Sequence, residues 1–263
     1  MRTLSVSSWA EFLDRTAEFD GWAFRGAADA RWPLQSSLSR YLARYVRDRS
    51  AWSAQEHRAI RIFRRKAHNY MPDSAALADD LRCVGLMQHH GAPTRLLDFT
   101  KSPHVAAFFA LERAVGESTV YALNTPALWL NRAVPIAAPH LTRDLIDPRQ
   151  PGNFEKLFLS NEHPMIWFGE PAEMDQRLIA QAGMFVVPGV IDRTLEDILA
   201  GYHSDEELLC KIEVPIGLRK QAMRELYRMN ITNASLFPDL DGLAHSIAFE
   251  LEMEWPPRSR PAA

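Results

Sequence analysis

Two short stretches concentrate the side chains able to hold a charged ligand or move a proton: Trp22-Ala23-Phe24-Arg25-Gly26 and the fifteen residues from Gln88 to Ser102. In the first, an arginine ends an apolar run. A guanidinium there is costly unless an anion meets its planar fork of donors, and the glycine after it lets a ligand approach the backbone. An arginine paired with a core carboxylate explains the same residues. The second stretch reads Gln-His-His-Gly-Ala-Pro-Thr-Arg-Leu-Leu-Asp-Phe-Thr-Lys-Ser. Most of its side chains hydrogen-bond or carry charge, whereas its surroundings are apolar. Its last residue, Ser102, precedes Pro103 as a helix cap precedes the first helical residue, and a helix start favours an anion such as phosphate. Against this stands the plain reading of Arg95 and Asp98 as a structural ion pair, with surface histidines beside it. A third stretch, Arg177 to Phe185, sets Gln181 and Gly183 before an apolar run.

Several chemistries lack their residues. His89 and His90 are adjacent, so on a helix they point about 100° apart and do not face one ion. The HExxH spacing, an acidic calcium loop, a glycine-rich phosphate loop and a GxSxG elbow are all missing. The two cysteines, Cys83 and Cys210, are far apart, which argues against a disulfide framework or a cysteine zinc site.

The elements that must carry these stretches follow from periodicity. Helices are expected over 8–18, 38–47, 53–70, 73–90, 104–113, 216–229 and 240–253. Ser53 with Glu56 forms a plausible capping box. Strands are expected over 22–25, 94–100, 118–123, 184–188 and 208–214, and residues 124–160 are hard to read. The strands at 22–25 and 94–100 are expected to be neighbours, with Arg25 and Thr100 lining one cleft. No linker divides the chain, so one domain over 1–255 and a flexible tail from Pro256 are expected.

The chain has 263 residues, 47% hydrophobic and 24% charged, with seven Trp and thirteen Phe, enough for a sizeable core. Its formal charge of −3 argues against a non-specific nucleic-acid binder. The N-terminus lacks a signal-peptide pattern and no apolar run is long enough to span a bilayer. A cytoplasmic location without membrane contact is the expectation.

Taken in order, Phe24-Arg25-Gly26, Gln88 to Ala110, Gln181 to Phe185 and Leu236 to Gly242 resemble the FRG domain family. The likeness runs over roughly residues 8–250. The chain also resembles, more distantly, mono-ADP-ribosyltransferases of the arginine–serine–glutamate type. Phe24-Arg25-Gly26 looks like their first element, Thr100-Lys101-Ser102 with Ala106 and Phe109 like the second, and 181–188 occupies the place of the third. Gly183 stands where the catalytic glutamate is expected, leaving Asp98, Asp239 and Glu56 as substitute acids.

What this resemblance implies is an α+β fold, ADP-ribosyltransferase-like, with a central mixed sheet split into two halves and flanked by helices. It implies a transferase that takes NAD as substrate and passes ADP-ribose to a protein or nucleic acid. A bacterial toxin or antiviral-defence effector, checked by an antitoxin or immunity partner, fits the family's associations. The implied catalytic residues are Arg25, Asp98, Thr100, Ser102 and Gln181. Phe24, Arg25, Gly26, Gln88, His89, Thr94, Arg95 and Phe109 would hold the dinucleotide, and no metal is implied. Three alternatives stay open: a nucleotide-binding module without turnover, an NAD glycohydrolase, and a hydrolase or nuclease using His89 or His90 as base.

Overall fold

The computed structural model describes residues 1–71 and 74–252. Its strands are β1 (Arg2–Ser5), β2 (Ala23–Ala27), β3 (Leu97–Thr100), β4 (Ser118–Leu123), β5 (Val134–Pro135), β6 (Ile166–Gly169), β7 (Gly183–Pro188), β8 (Tyr202–His203) and β9 (Leu209–Val214). The helices are α1 (Trp9–Ala17), α2 (Ser37–Tyr45), α3 (Trp52–Ala67), α4 (Asp80–His89), α5 (Pro103–Leu111), α6 (Thr125–Trp129), α7 (Gln176–Ala180), α8 (Leu195–Ala200), α9 (Arg219–Arg228), α10 (Asn233–Leu236) and α11 (Leu240–Glu252). A π-helical segment covers Phe154–Leu159.

Seven strands form one sheet in the order β1-β9-β4-β2-β3-β7-β6, and β5 pairs with β8 apart from it. The β1–β9 pair is parallel and the other pairs in the large sheet are antiparallel. The fold is therefore α+β with a mixed sheet. On one face Phe24, Val120, Ala122 and Ile212 pack against α1, α5 and α9. On the other, Ala23, Tyr121, Leu97, Phe99 and Met184 meet α6 and α8. A third cluster joins Phe185, Val187 and Trp167 to α3, α4 and the π-helical segment.

The expected division into two half-sheets is not found, because all seven strands are hydrogen-bonded in series. It survives only as a narrow joint. β2 and β4 are in register over five residue pairs, whereas β2 and β3 meet at the single pair Phe24–Thr100. Arg25 crosses the opening and adds a side-chain bond to the Asp98 carbonyl where the ladder stops.

Local chemistry explains most boundaries. Ser8, Ser36, Asp79 and Ser102 each cap a helix through a side-chain oxygen. Pro103 sits in the first turn of α5, as its sequence promised. The Ser53–Glu56 capping box does not form: α3 starts one residue earlier without a side-chain cap. The Ser53 hydroxyl donates instead to the Leu159 carbonyl, and Glu56 turns inward. The helix expected over 73–90 begins at Asp80, preceded by a 3-10 turn at Ala75–Leu77, and Asp73 lies outside the described residues. The tail expected from Pro256 and the last residue of the 240–253 helix also lie outside them.

Candidate functional site

Arg25 occupies the middle of β2, directly opposite Tyr121 of β4. Its Nη1 donates to the main-chain carbonyl of Asp98 on β3, across the joint. Among the described residues this is its only hydrogen bond, and no carboxylate oxygen lies within 4 Å of it. Burial pulls its pKa below the usual arginine range. The Asp98 carboxylate opposes that shift, and the Arg40 guanidinium deepens it. Arg40, on α2, likewise has no carboxylate partner among the described residues: its Nη1 donates to the Gln35 carbonyl, and burial lowers its pKa too. Arg40 is nevertheless exposed, so Arg25 is the desolvated guanidinium of the two, and with no carboxylate in salt-bridge contact among the described residues it is suited to an anion.

The polar residues of the central stretch assemble on the other face of the sheet. Partners across an antiparallel pair share a face, so Thr100 lies with Phe24 and Asp98 with Phe185. Arg25 faces the opposite way. The expected single cleft lined by Arg25 and Thr100 is overturned, although their strands are neighbours as expected. A one-residue step along a strand reverses the side chain, and Phe24 rather than Arg25 is opposite Thr100.

On the Thr100 face the bonds form two short chains. Thr94 Oγ1 donates to Gln88 Oε1, and Gln88 Nε2 donates to Asp98 Oδ2 at 2.8 Å. Thr100 Oγ1 donates to the Gln181 carbonyl at 2.7 Å and accepts from the Ser102 N–H at 3.0 Å. Gln181 Nε2 donates to the Leu236 carbonyl at 3.0 Å. Ser102 Oγ caps α5 by accepting from Val105 N–H. Gln88, Asp98, Gln181 and Arg177 surround a cavity of only about 30 Å³, room for a water molecule rather than a ring. The Oδ1 of Asp98 takes no hydrogen bond among the described residues.

Four assignments are corrected by packing. Arg95 is fully buried, and both its Nε and Nη2 donate to Glu56, with Nη1 on the Pro188 carbonyl at 3.0 Å. It has no side for a dinucleotide, and Glu56 is not a free acid; the expected Arg95–Asp98 pair is replaced by Arg95–Glu56. Gly26 serves helix packing: a Cβ there would stand 2.0 Å from the Ala106 carbonyl oxygen and 2.5 Å from the Ala110 nitrogen of α5. Phe109, partly buried, packs edge-on against Phe108 and Phe237 at the border of the core. Gly183 faces Leu178, whose Cδ1 would be 2.6 Å from an added Cβ.

Of the remaining candidates, Phe24 is buried but borders a large cleft beside β2. His89 Nδ1 lies 2.9 Å from Asp175 Oδ2, and its ring meets His90 edge-on. Asp239 Oδ1 accepts from Gly242 N–H at the start of α11. Sequence reasoning missed Arg40, which reads as an ordinary solvated arginine in a polar helix; its closeness to Arg25 is a tertiary fact. No group of three His, Cys, Asp or Glu among the described residues has metal-binding geometry, and no described helix is long and apolar enough to cross a membrane.

Residues 20–118 match the family model of the FRG domain. The matched stretch holds Arg25, Gly26 and all of 88–102, and leaves Gln181 outside. No curated protein and no solved structure matches the chain.

Proposed function

The chain carries an FRG domain, and from that premise we propose that it binds NAD and transfers ADP-ribose from it to a macromolecular acceptor. The observation that carries the binding is Arg25: a desolvated guanidinium at the sheet joint with no carboxylate within reach among the described residues. The dinucleotide's pyrophosphate supplies the missing charge, and Arg40 adds a second cation on the same anion.

Transfer breaks the bond between the ribose C1′ and the nicotinamide nitrogen, and the electron pair returns to the departing ring. The acceptor's lone pair forms the new bond to C1′, and its proton passes to a base. That base comes with the acceptor, because Asp98 binds Arg25 through its main-chain carbonyl and turns its carboxylate to the other face of the sheet. Thr100 and Gln181 brace β3 against β7 and so position Asp98. Holding reactants in place and stabilising charge account for the rate in such dissociative reactions. The resemblance to ADP-ribosyltransferases, and an effector role with an immunity partner, belong to this reading.

A second reading, binding without turnover, draws support from the water-sized cavity on the Asp98 face and from Gly183 in place of the glutamate. Calorimetric titration with NAD, run beside a nicotinamide-release assay, separates the two. Transfer predicts binding and release, with both weakened in Arg25→Lys. Binding with no release in the presence of cell lysate selects the module, and no binding at all refutes both.

A further inference from the structure

The cleft beside β2, about 540 Å³, is within the range of small-molecule sites. Two aromatic pairs line it. Phe19 and Trp22 have ring centroids 4.7 Å apart, and Trp129 and Phe168 have theirs 6.2 Å apart. Trp129 is 55% exposed, unusual for so large a ring. Its plane is held by Arg143, whose guanidinium carbon lies 3.6 Å from the ring centroid. Arg143 does not border the cleft. It therefore fixes the indole from outside the cavity, so the cleft gains a rigid stacking surface.

Polar groups in the cleft are few, and most are committed. The hydroxyls of Thr16 and Thr125 donate to main-chain carbonyls. Asp20 and Lys101 remain. Both are exposed at the rim; Lys101 is paired with Glu170, whereas Asp20 has no hydrogen-bond or ion-pair partner among the described residues.

We propose that this cleft is the base-binding subsite of the nucleotide site, taking a neutral planar ring that bears an exocyclic amine, as adenine does. The paired aromatic rings call for a planar π-face. Arg143 already occupies one face of Trp129 with a positive charge, which disfavours a cationic ring on the other, so the pyridinium of NAD is the poorer fit. The Asp20 carboxylate accepts from an amine and has nothing to offer a carbonyl. Position supports the link to the anion site: Phe168 and Met184, which line the cleft, pack with Ala23 and Tyr121 on the face of the sheet to which Arg25 turns. The inference rests on the reading of the chain as a nucleotide binder.

The test titrates the full chain with NAD, AMP, inosine monophosphate and nicotinamide mononucleotide, following tryptophan fluorescence and heat. AMP is expected to bind and quench, more tightly than either other mononucleotide. Trp129→Ala is expected to weaken AMP roughly tenfold or more with far-UV dichroism unchanged. Asp20→Asn is expected to abolish the preference for AMP over inosine monophosphate. Unchanged AMP affinity in Trp129→Ala, or tighter nicotinamide mononucleotide than AMP, overturns the subsite while NAD binding by the wild type leaves the nucleotide reading standing. If the wild type binds neither NAD nor AMP, both fall together.

Discussion

Replacing Glu56 by Gln or Arg95 by Met removes one half of a charge pair that has no access to water. Arg95 is 0% exposed and Glu56 3% exposed, and two guanidinium nitrogens donate to the carboxylate. Either single change leaves the surviving charge buried without its partner, a loss of about 3–5 kcal/mol. For a chain of this size that is a fall in unfolding temperature of roughly 6–20 °C. The double variant Glu56→Leu/Arg95→Met behaves differently, because no charge is left behind. Its remaining penalty is the Pro188 carbonyl, which loses its donor and costs about 1–3 kcal/mol. Urea unfolding of the wild type, both singles and the double gives the coupling directly. A double variant as unstable as the sum of the singles refutes the argument. So does an Arg95→Met protein that keeps its stability but loses nucleotide binding, since Arg95 would then be a ligand group.

Arg25→Lys keeps the charge and loses the two-point fork, so NAD affinity should drop about 10- to 100-fold with far-UV dichroism unchanged; an unfolded variant would mark Arg25 as structural. Gly26→Ala drives a methyl into the α5 backbone, and a loss of about 3 kcal/mol or more is expected by urea titration, beyond the usual range for overpacking because the obstacle is main chain. Burial lowers the pKa of His104, so the folded state resists its protonation. The contribution is present above the unfolded value near 6.5 and is lost as pH falls below it. His104→Gln should flatten the wild type's stability between about pH 7 and pH 5, and equal slopes would refute the assignment. Expressed alone in bacteria, the wild type should slow growth and Arg25→Ala should not; equal growth favours binding without turnover.

Much of the fold could be read from local patterns, and the failures have physical causes. Ser118–Leu123 and Pro103–Leu111 were legible because one sets Thr, Val and Tyr, residues that favour strands, in a row and the other carries cap and proline in sequence. β1 was invisible: Arg-Thr-Leu-Ser lies at a sheet edge, mostly exposed, and carries no alternation to detect. Glu56 was misread because a Ser-x-x-Glu spacing serves a capping box and a buried ion pair equally well, and the partner 39 residues away decides. Gly26 has the same ambiguity, since the space a glycine leaves admits a ligand or a helix. Arg25 was picked out correctly as an anomalous charge, but its bond to the Asp98 carbonyl was out of reach, because every residue has a carbonyl. Its facing direction depended on a register of one residue.

The placement of β9 between β1 and β4 has a consequence for how the chain is made. β1 finds its partner some 200 residues later, at Cys210–Glu213, and β4 receives its second neighbour from the same strand. β3 likewise waits for β7. A ribosome that has released residues 20–118 has supplied the Arg25 segment but left its sheet with open edges on both sides. Such edges invite pairing with other chains, and closing them requires contacts of long sequence separation, which form slowly. Sheet completion is thus a late event, set by the emergence of β9 rather than by the segment that carries Arg25.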